Sequence, residues 1–426
     1  IATGEQHAEE PGASNEGNGP DTVTTQQKTA EAEKGVPVHW LKAGTILEQA
    51  VLNKLRSATY IGIDFGTSTS VVSISVVGDD GQGLHTKAVE IRQVDELGRE
   101  IHSHLVDTCL AWFNQKLLFG VGAAMLKQDL VANQTIWTSF KMGLGVDLGP
   151  EYNRTALPEG KYEYTIEKPQ QAAAVFLKLL CDGIREYVNE HNLPDQIYYT
   201  VTVPASFEAN QRQDLFAALE FAGIPEREIR LMDEPNAAFL SYLIDMESRS
   251  SKGRFVDALH AKNRNVIVFD FGAGTCDISI LEVSVSNDSI LSRNLGISKF
   301  WALGGDDIDK IIAEQILLPQ LCGDKTLAKY LFTSTQLEQQ VLPHLKPVAE
   351  ALKVACCELA EQRGWKTIKD LKNVKNKVMV KPGKALLIEG QQWKIDEPQI
   401  RLEQFAEIMA LFVGQPCKMK RSTEMV

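Results

Sequence analysis

Two stretches of the chain share one pattern of apolar and polar positions. Residues 60–77 read YIGIDFGTSTSVVSISVV and residues 266–283 read VIVFDFGAGTCDISILEV. Each is a β-branched run that ends in Asp-Phe-Gly, turns through small polar residues, and resumes as a second β-rich run. Runs of this length bounded by glycine predict paired strands. The two aspartates, Asp64 and Asp270, lie 206 residues apart. That spacing is far beyond the period of roughly 20–50 residues found in solenoids. The repeat therefore predicts two similar half-molecules, each presenting an acidic, glycine-rich hairpin turn.

Between the hairpins the periodicity changes. Residues 169–191 begin with proline, carry an apolar stripe at helical spacing and end polar, which predicts a long helix with Pro169 in its first turn. Residues 197–204 predict a buried strand closed by Pro204. Ser206 is positioned to cap the helix that follows, and Gly223 with Pro225 stops it. Residues 228–235 predict another strand and 236–244 another helix. Residues 39–56 show Leu41, Ile46, Val51 and Leu55 on roughly one side, as in a helix. The expected organisation is an acidic disordered tail over 1–38, a helical lead-in over 39–57, a first lobe over 58–250 and a second, incomplete lobe over 251–426.

Composition adds limits. Within 1–36 there are seven acidic and two basic residues and almost no large apolar side chain, so the segment cannot offset its ordering entropy by burial. The net charge of −12 gives no reason to expect a nucleic-acid partner. Seven cysteines without C-x-x-C spacing argue against a disulfide framework and for a cytoplasmic home. No apolar run has transmembrane length, so no membrane partner is expected.

The hairpin turns carry candidate chemistry. Gly66, Gly272 and Gly274 let another group approach the backbone, successive amides form an anion nest, and Thr67, Ser68, Thr69 and Thr275 add hydroxyls. Asp64 and Asp270 stand beside these donors. Donors suit phosphate oxygens, and carboxylates suit hydrated Mg²⁺. Either turn alone reads equally well as a tight hairpin with a structural glycine. The repetition favours the phosphate reading.

With these motifs the chain resembles the ATPase domain of the 70-kDa heat-shock (DnaK-type) chaperones, within the actin and sugar-kinase superfamily. IGIDFGTSTS and FDFGAGTCDISILEV are similar to the family's two phosphate loops. TVPASFEANQRQDLFAALEFAGI, RLMDEPNAAFLSYL and WALGGDDID match further family segments in the family's order. The resemblance covers about residues 58–412. It implies an α/β fold of duplicated ribonuclease-H-like (actin-like) lobes around a nucleotide cleft, and an ATPase that uses ATP/ADP and Mg²⁺.

The resemblance also implies roles. Asp64, Asp270 and Asp277 would surround the metal, mainly through water. Gly66, Thr67, Ser68 and Thr69 would hold phosphate from one side, and Gly272, Ala273, Gly274 and Thr275 from the other. Lys141 matches a lysine near the γ-phosphate. Glu234 and Asp270 would orient water. Gly304, Gly305 and Asp306 would meet phosphate or ribose, and Glu350 and Lys353 the adenosine. Pro204 and Arg212 would couple the cleft to the lobe surface. Taken singly, Lys141 reads as a surface lysine, and Glu350 and Lys353 as a solvated helix face.

Three departures weaken nucleotide contacts: Ala273 replaces a usual glycine, Val354 an arginine and Cys357 a serine. After residues 401–413 the family continues into another strand and an adenosine loop, whereas this chain runs GQPCKMKRSTEMV. The expected consequences are weak binding, poor discrimination between ATP and GTP, and an exposed apolar patch at Phe405, Ile408 and Phe412. Partners implied by the family are co-chaperones and unfolded polypeptide, engaged through a domain this sequence lacks. Other readings are a superfamily metabolite kinase and an actin-like or non-hydrolysing nucleotide-binding scaffold. The DFG triplets do not make a protein kinase, because no HRD-x-x-x-x-N or G-x-G-x-x-G-x-V accompanies them.

Overall fold

The computed structural model describes residues 36–37, 55–77, 84–127, 130, 134–145, 152, 155–157, 164–249, 263–286, 289–298, 303–323, 331–372, 374, 376–381, 383–388 and 390–413. The expected tail up to residue 35 and nearly all of the helical lead-in lie outside these residues.

The strands in chain order are β1 Val36–Pro37, β2 Thr59–Phe65, β3 Thr69–Val77, β4 Leu84–Ala88, β5 Ile91–Val94, β6 Glu100–Ser103, β7 Leu105–Asp107, β8 Cys109–Phe113, β9 Lys116–Phe119, β10 Ile136–Thr138, β11 Thr155–Ala156, β12 Thr165–Ile166, β13 Ile197–Val203, β14 Ile229–Asp233, β15 Arg264–Phe271, β16 Cys276–Ser286, β17 Ser289–Ile297, β18 Lys377–Met379, β19 Lys384–Ile388, β20 Gln391–Ile395 and β21 Gln399–Arg401. The α-helices are α1 Val121–Ala124, α2 Pro169–Glu190, α3 Ala209–Phe221, α4 Glu234–Arg249, α5 Gly305–Ile312, α6 Leu318–Cys322, α7 Ser334–Gln336, α8 Leu342–Gln362, α9 Ile368–Lys372 and α10 Leu402–Val413. The architecture is mixed α/β.

Both repeated motifs form antiparallel hairpins. In the first, Asp64 pairs with Val71 and Phe65 with Ser70; in the second, Asp270 pairs with Asp277 and Phe271 with Cys276. The first hairpin sits inside a six-stranded mixed sheet of order β14-β13-β2-β3-β4, with β7 also on β3. Strand β13 runs parallel to β2 and to β14. Buried residues of α2 recur every three or four positions, among them Ala173, Phe176, Leu177, Leu180 and Ile184. This stripe covers the sheet, and Phe176 lies 6.1 Å from the Phe65 ring.

The second hairpin belongs to a four-stranded sheet of order β1-β17-β16-β15. Val36 and Pro37 therefore pair with β17, and the tail boundary drawn at residue 38 overruns this strand. On one face α4 supplies Phe239 and Leu243 against Leu281, Val283 and Ile290. A separate core unites the helical run from Ile308 to Leu321 with α8, β18 to β21 and α10. Phe405 and Ile408 are buried in it and Phe412 packs against it. The apolar patch expected there is absent, because α10 turns its apolar side toward this core.

The helix expected after Pro204 is α3, but Ser206 does not cap it. Glu208 occupies the N-cap position and its amide donates to Gln211 Oε1 at 2.9 Å. Among the described residues all six cysteines are free, and no helix is long and apolar enough to cross a membrane.

Candidate functional site

The two hairpin turns abut. A methyl group added at Gly274 would lie 2.6 Å from Met142 Sδ and 2.9 Å from Thr67 Cγ2, so only glycine permits this approach of the second turn to the first. Within the first turn, a side chain at Gly66 would meet the Thr69 carbonyl at 2.1 Å. The Ser68 carbonyl accepts from the Thr108 amide at 2.8 Å. Within the second turn, the Gly272 amide donates to the Thr275 carbonyl at 2.9 Å. Ala273 is not among the residues with positive φ, so its methyl carries no backbone strain.

Next to the turns lies a charged cluster assembled from five elements. Asp64 ends β2 and accepts from Thr202 Oγ1 of β13 at 2.8 Å. Asp270 ends β15. Burial lifts its carboxyl above the ordinary range, and the charges of Asp277 and Asp64 push in the same direction. Asp64 and Asp270 thus feel one another across the two hairpins. Asp277, on β16, is buried and accepts a hydrogen bond from Ser206 Oγ.

Lys141 lies on a 3₁₀ turn, Phe140–Gly143, whose preceding residue Ser139 is left-handed at φ 54°. Its side chain is buried, and Nζ donates to Glu234 Oε1 at 2.8 Å. Nζ also sits 5.8 Å from both the Phe65 and Phe207 ring centres. Glu234 opens α4. Burial raises its carboxyl, Lys141 opposes that rise, and Asp64 and Asp270 add to it. Lys141 is thus paired with Glu234 and lies within electrostatic reach of Asp270, while Asp64 beside them is exposed. Among the described residues no three His, Cys, Asp or Glu side chains are placed to hold a metal directly.

Arg212 and Pro204 stand one layer behind. Arg212 Nη2 donates to Asp233 Oδ1 at 2.7 Å and Nε to the Phe207 carbonyl at 3.1 Å. Asp233 immediately precedes Glu234, and its other oxygen accepts from Asn294 of β17 at 3.5 Å. The Pro204 carbonyl accepts from the Phe207 amide at 3.0 Å.

On the other side of the turns is a cavity of about 700 Å³. Thr67, Ser68, Gly274, Asp306 and Glu350 line it, with Ser139, Lys127 and Lys346. Asp306 Oδ2 accepts from Ser139 Oγ at 2.9 Å and from Lys346 Nζ at 2.7 Å. Glu350 is 4.0 Å from Lys127.

Several expected donors are already engaged. The Gly305 and Asp306 amides donate to the Gly272 and Ala273 carbonyls at 3.1 and 2.8 Å. The Gly304 amide donates to Asp307 Oδ2 at 2.8 Å. The start of α5 is therefore spent on holding the second turn. Lys353 Nζ donates to Asp309 Oδ2 at 2.7 Å and to the Gly305 carbonyl at 3.2 Å. Asp309 is buried, its Oδ1 has no hydrogen-bond partner, and burial pushes its carboxyl up to about 6. Val354 and Cys357 are exposed on α8.

Residue patterns alone missed Ser206, Thr202, Ser139 and Lys346. Ser206 had a visible signal, a serine just after Pro204, but the local rule for helix caps claimed it. The other three are recruited by partners 138, 167 and 40 residues away.

The fold thus brings two acidic turns together on a mixed α/β scaffold, beside a buried lysine paired with Glu234. Comparison with known proteins identifies its family. The pattern of the family described as Hsp70 protein matches residues 145–364, just over half of the chain, and the chain belongs to the Hsp70 family. It is 27% identical over 304 residues to the chaperone protein dnaK of Cyanophora paradoxa, covering 69% of this chain and 42% of that protein. It is 26% identical over 314 residues to the dnaK protein of Gracilaria tenuistipitata var. liui, covering 71% and 44%. A chaperone HscA homolog of Acinetobacter baumannii is 33% identical over 144 residues, covering 33% and 21%. The chain thus spans less than half the length of these relatives.

Proposed function

We propose that this chain binds Mg²⁺–ATP between its two hairpin turns and hydrolyses it as the nucleotide-dependent part of an Hsp70-type chaperone. In this reading the regions around the hairpins are the duplicated ribonuclease-H-like lobes, and nucleotide state biases how they close. The observation that carries the reading is the buried Lys141–Glu234 pair set among Asp64, Asp270 and Asp277. Burying an ion pair carries a desolvation cost, and binding a charged ligand is a reason to keep one there. Phosphoryl transfer to water asks for positioning and charge neutralisation; Lys141 and a Mg²⁺ held by the acids would together supply the positive charge.

The acids fit a hydrated divalent cation. Burial and mutual repulsion raise Asp270, and a cation would relieve that repulsion. Asp64, Asp270 and Asp277 would hold Mg²⁺ through its waters, and the ion would neutralise charge on the phosphates. Amides and hydroxyls of Gly66, Thr67, Ser68 and Thr69, and of Gly272, Ala273, Gly274 and Thr275, would hold the phosphate chain. Lys141 would stabilise charge that develops on the transferred group. Glu234 and Asp270 would accept hydrogen bonds from the attacking water. Gly304, Gly305 and Asp306 would act through the second turn, which their amides brace. Glu350 and Lys353 would border the nucleoside, with Lys353 shared with Asp309. Client polypeptide and co-chaperones would engage parts of a longer assembly.

Lys141→Ala tests the reading. Single-turnover hydrolysis should fall by about a hundredfold or more, with ATP affinity reduced far less. Unchanged single-turnover hydrolysis would refute the role. Pro204 and Arg212 are assigned to coupling, since Arg212 reaches the cluster indirectly, through Asp233 and Phe207. Arg212→Ala should leave nucleotide affinity within about twofold by calorimetry, a change of under 1 kcal/mol. A large loss would make Arg212 a direct binding or structural residue.

A further inference from the structure

Among the described residues, four other than glycine have positive φ: Asn114, Gln115, Ser139 and Asn192. Three of them have a local reason. Asn114 and Gln115 form the two-residue turn between β8 and β9, where both central positions require it. Asn192 follows the C-terminal end of α2, where the Leu193 amide closes back on the Val188 carbonyl at 3.0 Å. Ser139, at φ 54°, has no such reason. It joins β10 directly to the 3₁₀ turn that carries Lys141, between the buried side chains of Trp137 and Phe140. A left-handed residue other than glycine is strained and persists only where its surroundings over-determine it.

What holds Ser139 comes from the side of the second turn. Its Oγ donates to Asp306 Oδ2 at 2.9 Å, and Lys346 Nζ of α8 donates to the same oxygen at 2.7 Å. The Asp306 amide donates to the Ala273 carbonyl of the second turn at 2.8 Å. One residue thus bonds the strained serine through its side chain and the second turn through its backbone. Within the 3₁₀ turn, the Ser139 carbonyl accepts from the Met142 amide at 3.1 Å. Met142 in turn lies against Gly274, where an added methyl would be 2.6 Å from its Sδ. Lys141 is therefore flanked by two residues that attach its turn to the second turn, Met142 by packing and Ser139 by way of Asp306.

We propose that Ser139 is a positioning residue, which through Asp306 fixes the Lys141 turn in register with the second turn. The Asp306 side chain then serves as the clasp between the two and not as a ligand to ribose or phosphate. Lys346 holds the same carboxylate oxygen from α8, so the clasp is anchored on both sides of the acceptor. The far end of the Lys141 side chain is fixed by Glu234 at 2.8 Å and by the rings of Phe65 and Phe207 at 5.8 Å. Ser139 fixes the near end, the backbone from which that long stem starts. Such a tether matters most to a step that depends on geometry, where a displacement of about 1 Å can cost roughly a hundredfold in rate. The consequence for hydrolysis rests on the nucleotide reading above; the tether itself does not.

Hydrogen exchange on the whole chain, without nucleotide, reads the tether directly. Ser139→Gly removes the hydroxyl and leaves the left-handed backbone unstrained, whereas Asp306→Ala removes the acceptor and leaves the Lys141 turn untouched in sequence. The Met142 amide should exchange about tenfold faster or more in each. The double variant should be no faster than the faster single one, because both act through one contact. Ser139→Asn tolerates the left-handed conformation and keeps a side-chain donor, so it should restore protection. With ATP, single-turnover hydrolysis should fall about tenfold or more in Ser139→Gly, while calorimetric affinity stays within about twofold in Ser139→Gly and Asp306→Ala. Met142 protection unchanged by Asp306→Ala, or additive effects in the double variant, overturns the proposal. A large loss of affinity in Asp306→Ala would make Asp306 a nucleotide ligand and overturn it as well. If Ser139→Gly fails to fold by circular dichroism, Asp306→Ala and Ser139→Asn carry the same exchange readout. Coupled exchange in a parent chain that does not cleave ATP would uphold the tether and refute the function proposed above.

Discussion

The two hairpins share their pattern of β-branched residues and their turn triplet, yet they are held in different ways. The first is braced by strands: β13 lies along β2, and Thr202 anchors Asp64. The second is braced by what lies across its turn. The amides that open α5 bind its carbonyls, and Ser206 from beyond β13 reaches Asp277. The alternation of apolar residues fixes that a segment is a strand with one apolar side. It does not fix what covers that side, because the cover comes from distant parts of the chain or from a partner.

The sharpest way to break this comparison is to truncate the same residue in both motifs. Phe65 is fully buried and packs against Phe140 and Phe176. Phe65→Ala should cost about 3–5 kcal/mol of unfolding free energy. Phe271→Ala should cost less than about 1 kcal/mol, because its ring is already partly in water. Urea unfolding of both variants measures the gap. Equal losses would mean that the second face is covered in solution.

Much of this was legible in the sequence, for a physical reason. Strand and helix signals are local, so α2, β13, α3, β14 and both hairpins followed from periodicity, Pro169, Pro204 and Gly223. The pairing of two turns was legible because the motif is repeated. What stayed hidden depends on contacts between remote segments. Lys353 reads as a free cation until the fold places it on Asp309, and Phe405 and Ile408 read as exposed until β18 to β21 close over α10. The same holds for Val36–Pro37, whose pairing with β17 no local pattern announces.

The second turn has a titratable support that the first lacks. Lys353 ties Asp309 to the Gly305 carbonyl at the start of α5. Burial sets the folded value of Asp309 at about 6, above its ordinary 3.8. A carboxyl raised in the folded state contributes stability that is fully present below the unfolded value. That contribution is lost as pH rises through about 6. The change is on the order of 3 kcal/mol. Urea midpoints followed across this interval should therefore drop in the parent more steeply than in Asp309→Asn. A parent and variant with parallel pH profiles would show that Asp309 titrates normally.

The smallest expected effect concerns the one residue by which the second turn departs from an all-glycine loop. Ala273 avoids the left-handed region, and its carbonyl accepts from the Asp306 amide at 2.8 Å. Its methyl therefore costs nothing in the folded turn and restricts the unfolded chain. Ala273→Gly should lower stability by about 0.4–1 kcal/mol through unfolded-state entropy alone. Nucleotide affinity should stay within about twofold, since the backbone donors keep their positions. Calorimetric titration with ATP and with GTP on parent and variant decides the matter. If the glycine variant binds both nucleotides much more tightly, the methyl obstructs the phosphates. The second turn would then be the poorer half of the pair for chemical as well as for packing reasons. If affinity is unchanged, the difference between the two hairpins lies in their cover and their bracing, not in the turn.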